Sequence, residues 1–114
     1  MLFFNPEINV WLYKDKVDMR KQIDGLSIIA SSEMNKNPST GEVFLFFNKN
    51  SDKIKILYWH KNGFALYYKR LEKEKFRIPR NKEFINYEQL CWLLSGLDIN
   101  NLKGHSKFDY DTFF

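Results

Sequence analysis

Basic side chains are concentrated in one part of this chain. The basic segment (residues 69–82) contains seven Lys or Arg residues and two Glu residues, whereas the formal net charge of all 114 residues is +4. Cationic groups at this density attract polyanions, and the neighbouring rings of Tyr67 and Tyr68 could stack on flat groups. The alternative is a solvated hairpin whose lysines keep a sheet edge from pairing with other chains. Six residues are the candidate phosphate contacts: Lys69, Arg70, Lys73, Lys75, Arg77 and Arg80.

Acidic residues are placed poorly for metal-dependent catalysis. Two-metal enzymes need several carboxylates that converge on Mg²⁺, and the apolar runs 43–47, 53–59 and 64–71 contain no Asp or Glu. Asp18 and Asp24 are six positions apart, which places them about 240° apart around a helix. A glycine-rich phosphate loop and a zinc-ligand spacing are also missing from the sequence. We therefore predict a protein that is not an enzyme, with no catalytic residues, no metal site and no cofactor.

The single cysteine and the histidines carry no recognisable chemistry. Cys91 adjoins Trp92 in an apolar run, so it is interpreted as a buried side chain rather than a nucleophile. His60 is interpreted as an ordinary residue at a strand end. One cysteine forms no internal disulfide, and no stretch reaches the roughly 18 apolar residues that a membrane helix needs. We expect a cytoplasmic protein with no membrane segment.

Hydrophobic periodicity predicts the elements that position the basic segment. Alternating residues predict strands over 8–13, 53–59, 64–71 and 76–78, and the continuous apolar run 43–47 predicts another. Asn62-Gly63 is the typical signal of a type I′ turn, with positive φ at both positions. Apolar steps of three and four predict a helix over 18–34 that begins at an Asp18 cap. Asn86 and Gln89 predict the capping box of a second helix.

These elements together predict one α+β domain over residues 1–99. Its core is a mostly antiparallel sheet of three to five strands, a meander, with the first helix packed on one face and a second helix near the C-terminus. Residues 100–114 show no period and are predicted to form a C-terminal tail. This tail is either loosely held or docked through its aromatic residues, which are Phe108, Tyr110, Phe113 and Phe114.

Several short motifs occur in an order that is typical of one family. They are D-M-R-K at 18–21, D-G-L at 24–26, K-I-L-Y-W at 55–59, G-F at 63–64 and Y-K-R-L-E at 68–72. Over roughly residues 8–98 the chain resembles the TnpB accessory proteins, encoded by the second open reading frame of the IS-sixty-six family of bacterial insertion sequences. Two positions depart from the family pattern, where an acidic residue is usual at His60 and a Trp at Ile78.

The resemblance implies a non-catalytic accessory protein of DNA transposition that acts with a separate, larger DDE transposase. DNA, in particular the transposon ends, and this transposase are therefore the expected partners. Under this interpretation the basic segment binds transposon DNA. The alternative is a protein-interaction subunit that docks on the transposase without direct DNA contact.

Overall fold

The computed structural model describes residues 5–100, and the predicted tail lies outside the described residues except for Asn100. The elements are β1 (Val10–Leu12), α1 (Ile23–Ser32), β2 (Val43–Phe47), β3 (Lys53–His60), β4 (Gly63–Arg70), β5 (Phe84–Ile85) and α2 (Tyr87–Leu94), with a short 3₁₀ helix at Pro38–Thr40. None of the helices in this part of the chain is long and apolar enough to cross a membrane.

The five strands form one mixed sheet in the order β4-β3-β2-β1-β5. The β1–β2 pairing is parallel, and the chain between these two strands includes α1. The other three pairings are antiparallel, and β2, β3 and β4 form the predicted meander. The prediction of an α+β fold with a mostly antiparallel sheet is therefore confirmed.

The central strand β2 is buried on both faces because a helix covers each face of the sheet. On one face, α1 contributes Leu26, Ile29 and Ala30 to a core cluster that also contains Phe44 and Phe46 of β2. On the other face, α2 contributes Leu90 and Leu93 to a second cluster, together with Val43, Leu45 and Phe47 of β2. Burial on both sides explains why the sequence of β2 is continuously apolar instead of alternating.

The first helix begins later than the sequence predicts. Asp18 does not cap α1, which begins at Ile23; the Asp18 carbonyl instead accepts a hydrogen bond of 3.0 Å from the Lys21 amide. The ammonium of Lys55 on β3 donates hydrogen bonds of 2.8 Å to the carbonyl oxygens of Met19 and Lys21. The helical hydrogen bonds begin instead at the Gln22 carbonyl, which accepts from the Leu26 amide at 2.9 Å.

The β3–β4 turn also differs from its prediction. His60 pairs with Gly63, so the two loop residues are Lys61 and Asn62 rather than Asn62 and Gly63. The positive φ, 60°, is at Lys61, and Gly63 is not in the left-handed region. The predicted type I′ turn at Asn62-Gly63 is therefore wrong, although the hairpin itself is present.

The predicted strand over 76–78 is absent from the structure. Residues 71–83 instead form an irregular connection that runs from β4, at one edge of the sheet, to β5, at the opposite edge. Phe76 is 3% exposed, and its amide donates to the Ser51 carbonyl at 2.7 Å. Residues 76–78 therefore do not pair with β4. Instead, the Phe76 ring packs against the Phe47 ring, with the two ring centroids 6.2 Å apart.

The second helix has the predicted signal at its N-terminus. The side chain of Asn86 accepts a hydrogen bond from the Gln89 amide at 2.7 Å, and the side chain of Gln89 accepts one from the Asn86 amide at 3.0 Å. This is the predicted capping box. After the last turn Gly96 has φ +89°, a conformation that favours glycine at a helix end. Cys91 is buried in α2, as predicted.

Candidate nucleic-acid interface

The basic segment is held as a ribbon with an apolar side and a charged side. Phe76 and Pro79 are buried and Ile78 is half-buried, and all three point towards the domain. Lys75, Arg77 and Arg80 alternate with them and are exposed. Because the three apolar side chains face the domain, the cations beside them are left on the solvent side.

Hydrogen bonds fix this ribbon at both ends. Near its start the Leu71 amide donates to the Asp52 carbonyl at 2.8 Å. Near its end the side chain of Asn100 accepts a hydrogen bond from the Arg80 amide at 2.9 Å and donates one to the Ile78 carbonyl at 3.2 Å. The charged side chains are therefore carried by backbone whose conformation is already ordered.

Lys69 differs from the other candidate residues because its side chain is bound to the end of the second helix. Its ammonium donates a hydrogen bond of 2.8 Å to the carbonyl oxygen of Leu94, the last residue of α2. A cation at this position stabilises the negative end of the helix dipole. The first predicted contact residue thus has a structural partner inside the domain.

Arg70 is exposed but partly neutralised. Its Nε donates to the Glu72 carboxylate at 2.9 Å, and both side chains are largely exposed. This hydrogen bond is the main reason why the pKa of Arg70 is raised above its usual range. Exposed pairs of this kind contribute little to stability, so a stronger anion can displace Glu72.

The remaining four candidates share one property. Their residues are exposed, and within residues 5–100 none of their side chains takes part in an ion pair. These are Lys73, Lys75, Arg77 and Arg80. They lie along one continuous piece of chain and are accessible to an external anion.

The fold adds two lysines that sequence reasoning missed. The ammonium of Lys16 donates to the Ser51 hydroxyl at 3.0 Å, and the Ser51 carbonyl accepts the Phe76 amide. Lys49 is exposed in the same β2–β3 turn. Both lysines are therefore close to the start of the ribbon. No sequence signal indicates this, because Lys16 and Lys49 lie outside the basic segment.

Asp18 and Asp52 have local partners. Asp18 forms an ion pair of 2.6 Å with Arg20, and hydrogen bonds from the Arg20 side chain and backbone lower the pKa of Asp18 to about 2. Asp52 accepts a hydrogen bond of 2.6 Å from Asn48, which lowers the pKa of its carboxyl group. No three His, Cys, Asp or Glu side chains converge as metal ligands within the described part of the chain.

The fold and surface define a small mixed α+β protein that exposes an ordered basic ribbon. The sequence profile of the family described as IS66 Orf2-like protein matches residues 8–104, and the chain belongs to this family. It is therefore an accessory protein associated with the transposition of insertion sequences.

Two relatives from Sinorhizobium fredii are similar over most of their length. The chain is 29% identical to the protein y4jC over 99 residues, which cover 84% of this chain and 85% of the relative. It is also 29% identical to y4hO over 101 residues, which cover 86% of this chain and 88% of the relative. No solved structure matches the chain.

Proposed function

We propose that this protein binds transposon DNA through the exposed cations of the basic segment and acts beside a separate DDE transposase. The observation that carries the proposal is the row of four accessible cations on one ordered ribbon. Its members are Lys73, Lys75, Arg77 and Arg80, with Arg70 at its start. Lys69 is the first residue of the basic segment. Because its ammonium is bound to the end of α2, it holds the start of the ribbon in place and does not contact DNA.

The ordered backbone strengthens this interaction. A disordered basic segment would lose conformational entropy when it binds, which weakens its affinity. Here Phe76 and Asn100 already hold the ribbon through the contacts described above. Only the long side chains of the lysines and arginines remain to be ordered on binding.

The spacing of the cations favours phosphate contacts without sequence readout. A chain advances at most about 3.3–3.6 Å per residue, so Lys75 and Arg77 lie no more than roughly 7 Å apart along the ribbon. Flexible lysines and arginines at such spacing can each reach a phosphate, and phosphate contacts position a protein without reading bases. Four contacts predict a slope of log K against log salt of roughly −3.6.

The proposed role is non-catalytic. The acidic groups Asp18 and Asp52 are bound to neighbouring side chains, and no cluster of three ligands occurs within residues 5–100. Supercoiled plasmid incubated with the purified protein and Mg²⁺ or Mn²⁺ should remain intact. Metal-dependent nicking that persists after repurification and is lost in Asp18→Asn would contradict this role.

One observation favours docking on the transposase instead. The segment also exposes Glu72 and Glu74, and Glu72 is paired with Arg70. A mixed-charge surface is typical of the polar rim of a protein interface. In this case the same cations would contact acidic side chains of the transposase, with little binding to naked DNA.

A charge reversal on the ribbon distinguishes the two functions. We expect Arg77→Glu to weaken binding to a labelled duplex and to flatten its salt dependence, regardless of the duplex sequence. Lys61→Glu is the matched control, since Lys61 is an exposed cation in the β3–β4 turn, at the opposite end of β3 from the ribbon. Equal binding by both variants would exclude the ribbon as the DNA contact. Loss of a transposase pull-down without any DNA binding by the wild type would establish the docking function.

A further inference from the structure

Tyr68 is an exposed aromatic residue on the edge strand β4. It is 49% exposed, and the other large hydrophobic residues that are exposed within residues 5–100 are Ile28 and Phe84. Its neighbour Tyr67 is half-buried and packs against the core cluster on the α2 side of the sheet. Of the two adjacent tyrosines, Tyr68 is therefore the one that is open to a flat ligand.

The Tyr68 ring is supported from inside the domain. The Lys55 ammonium lies over this ring, 5.4 Å from the ring centroid. Lys55 is 4% exposed and donates hydrogen bonds to the carbonyl oxygens of Met19 and Lys21, which fix its position. Because the ammonium covers the inner face of the ring, the exposed surface of Tyr68 lies on the side that is turned away from Lys55.

Cationic side chains flank this ring on the same face of the sheet. Tyr68 and Arg70 are two positions apart on one strand, so their side chains share a face. Lys53 is the cross-strand partner of Arg70 and lies on that face as well. The hydrogen bond from Arg70 to Glu72 uses Nε, which is one of the five N–H donors of a guanidinium group. The exposed ring thus has phosphate-binding groups beside it.

We propose that Tyr68 stacks on an unpaired base of single-stranded DNA while Arg70 and Lys53 bind the adjoining phosphates. An aromatic ring beside basic groups suits this ligand, because every base has a π face and a phosphate follows each nucleotide. In a duplex the bases are inside the stack, so the ring has no face to stack on.

This inference rests on the proposed DNA binding and adds a class of ligand to it. The exposed cations of the ribbon bind phosphates, which single and double strands both carry. Tyr68 adds a contact that only an unpaired base can make. The protein should therefore prefer single-stranded segments to duplex segments of the same charge.

Three labelled probes of equal length separate stacking from charge: oligothymidylate, an abasic oligomer with the same phosphates, and a duplex. We expect the wild type to bind oligothymidylate about tenfold more tightly than the abasic oligomer, because stacking on one base contributes a factor of this order. Tyr68→Leu should bind the two single strands equally, with its duplex affinity within about twofold of the wild type. Tyr68→Phe keeps the ring and should keep the preference.

Phe84→Leu is the matched control. Phe84 is 47% exposed on β5, at the opposite edge of the sheet, and its ring packs against that of Trp11 with the centroids 5.1 Å apart. This variant should retain the preference for oligothymidylate. NMR of the wild type tests the contact without any substitution: oligothymidylate should move the ring-proton signals of Tyr68 upfield and leave those of Phe84 in place.

The outcomes distinguish this inference from the proposed function. Equal binding of oligothymidylate and the abasic oligomer, with salt-dependent duplex binding intact, would overturn stacking by Tyr68 and leave the ribbon as the DNA contact. Absence of binding to all three probes would overturn both. Tighter binding of oligouridylate than of oligothymidylate would overturn DNA as the ligand in favour of RNA. Loss of a transposase pull-down in Tyr68→Leu, with its affinity for oligothymidylate unchanged, would assign Tyr68 to a protein interface instead.

Discussion

The buried ammonium of Lys55 organises the chain before α1, and replacing Lys55 by Met should destabilise the domain. Lys55 is 4% exposed in the middle of β3. It donates hydrogen bonds of 2.8 Å to the carbonyls of Met19 and Lys21, and its third contact, to Gln22 at 3.4 Å, is too long to count. Burial lowers the pKa of Lys55 because it disfavours the charged form.

The magnitude follows from these two hydrogen bonds. A methionine of similar length would remove both hydrogen bonds, and bonds to a charged group contribute about 1.5–3 kcal/mol each. Removing a desolvated charge returns part of this loss, so the expected decrease in the free energy of unfolding is about 2–3 kcal/mol. In a domain of this size that corresponds to a fall in Tm of roughly 10–20 °C.

Chemical denaturation and thermal unfolding measure this change, with Lys53→Met as the matched control. Lys53 is two positions earlier on β3 and makes only a 3.5 Å ion pair with Asp52, so its replacement should cost less than about 1 kcal/mol. Amides of residues 19–22 should also exchange faster in Lys55→Met. If Lys55→Met is as stable as Lys53→Met, the ammonium does not organise this turn.

Three further predictions concern local structure. Gly96→Ala should destabilise the domain by about 1–2 kcal/mol, because φ at this position is +89°. Gly63→Ala is the control and should be neutral or slightly stabilising, since its Cβ position is open and its φ is not positive. Equal unfolding midpoints for the two variants would contradict this prediction. Asn86→Ala should cost about 1 kcal/mol through loss of the α2 cap, and faster amide exchange confined to the first turn of α2 would locate the effect. The carboxyl group of Asp18 should titrate near pH 2 by NMR and return towards 3.8 in Arg20→Ala. Because the folded state lowers this pKa, the stabilisation is present above pH 3.8 and is lost as the pH falls towards 2; a wild-type midpoint near 3.8 would contradict it.

Local signals predicted the elements whose structure depends on neighbouring residues. The capping box at Asn86 and the apolar run of β2 need only a few adjacent positions to be recognised, and both were confirmed. The start of α1 was missed because the decisive side chain, Lys55, is more than thirty positions away from Met19 and Lys21. Such a contact has no periodicity that a sequence can show.

The candidate interface was predictable in charge but not in geometry. Composition identified the basic segment. Lys69 and Arg77 would belong to one surface only if the predicted strand 76–78 paired with β4, and that strand does not form. The sheet places Lys69 under the end of α2, while the connection to β5 exposes Arg77. Lys16 joins the region only because the β1–α1 connection contacts the β2–β3 turn.

The salt dependence of wild-type binding to duplex DNA tests the central claim most directly. Titrations of a labelled duplex at several salt concentrations, repeated with an unrelated sequence, give the slope of log K against log salt. Four phosphate contacts predict a slope of roughly −3.6 for both sequences. No measurable binding at low salt, or a slope near zero, would contradict DNA binding through the basic segment.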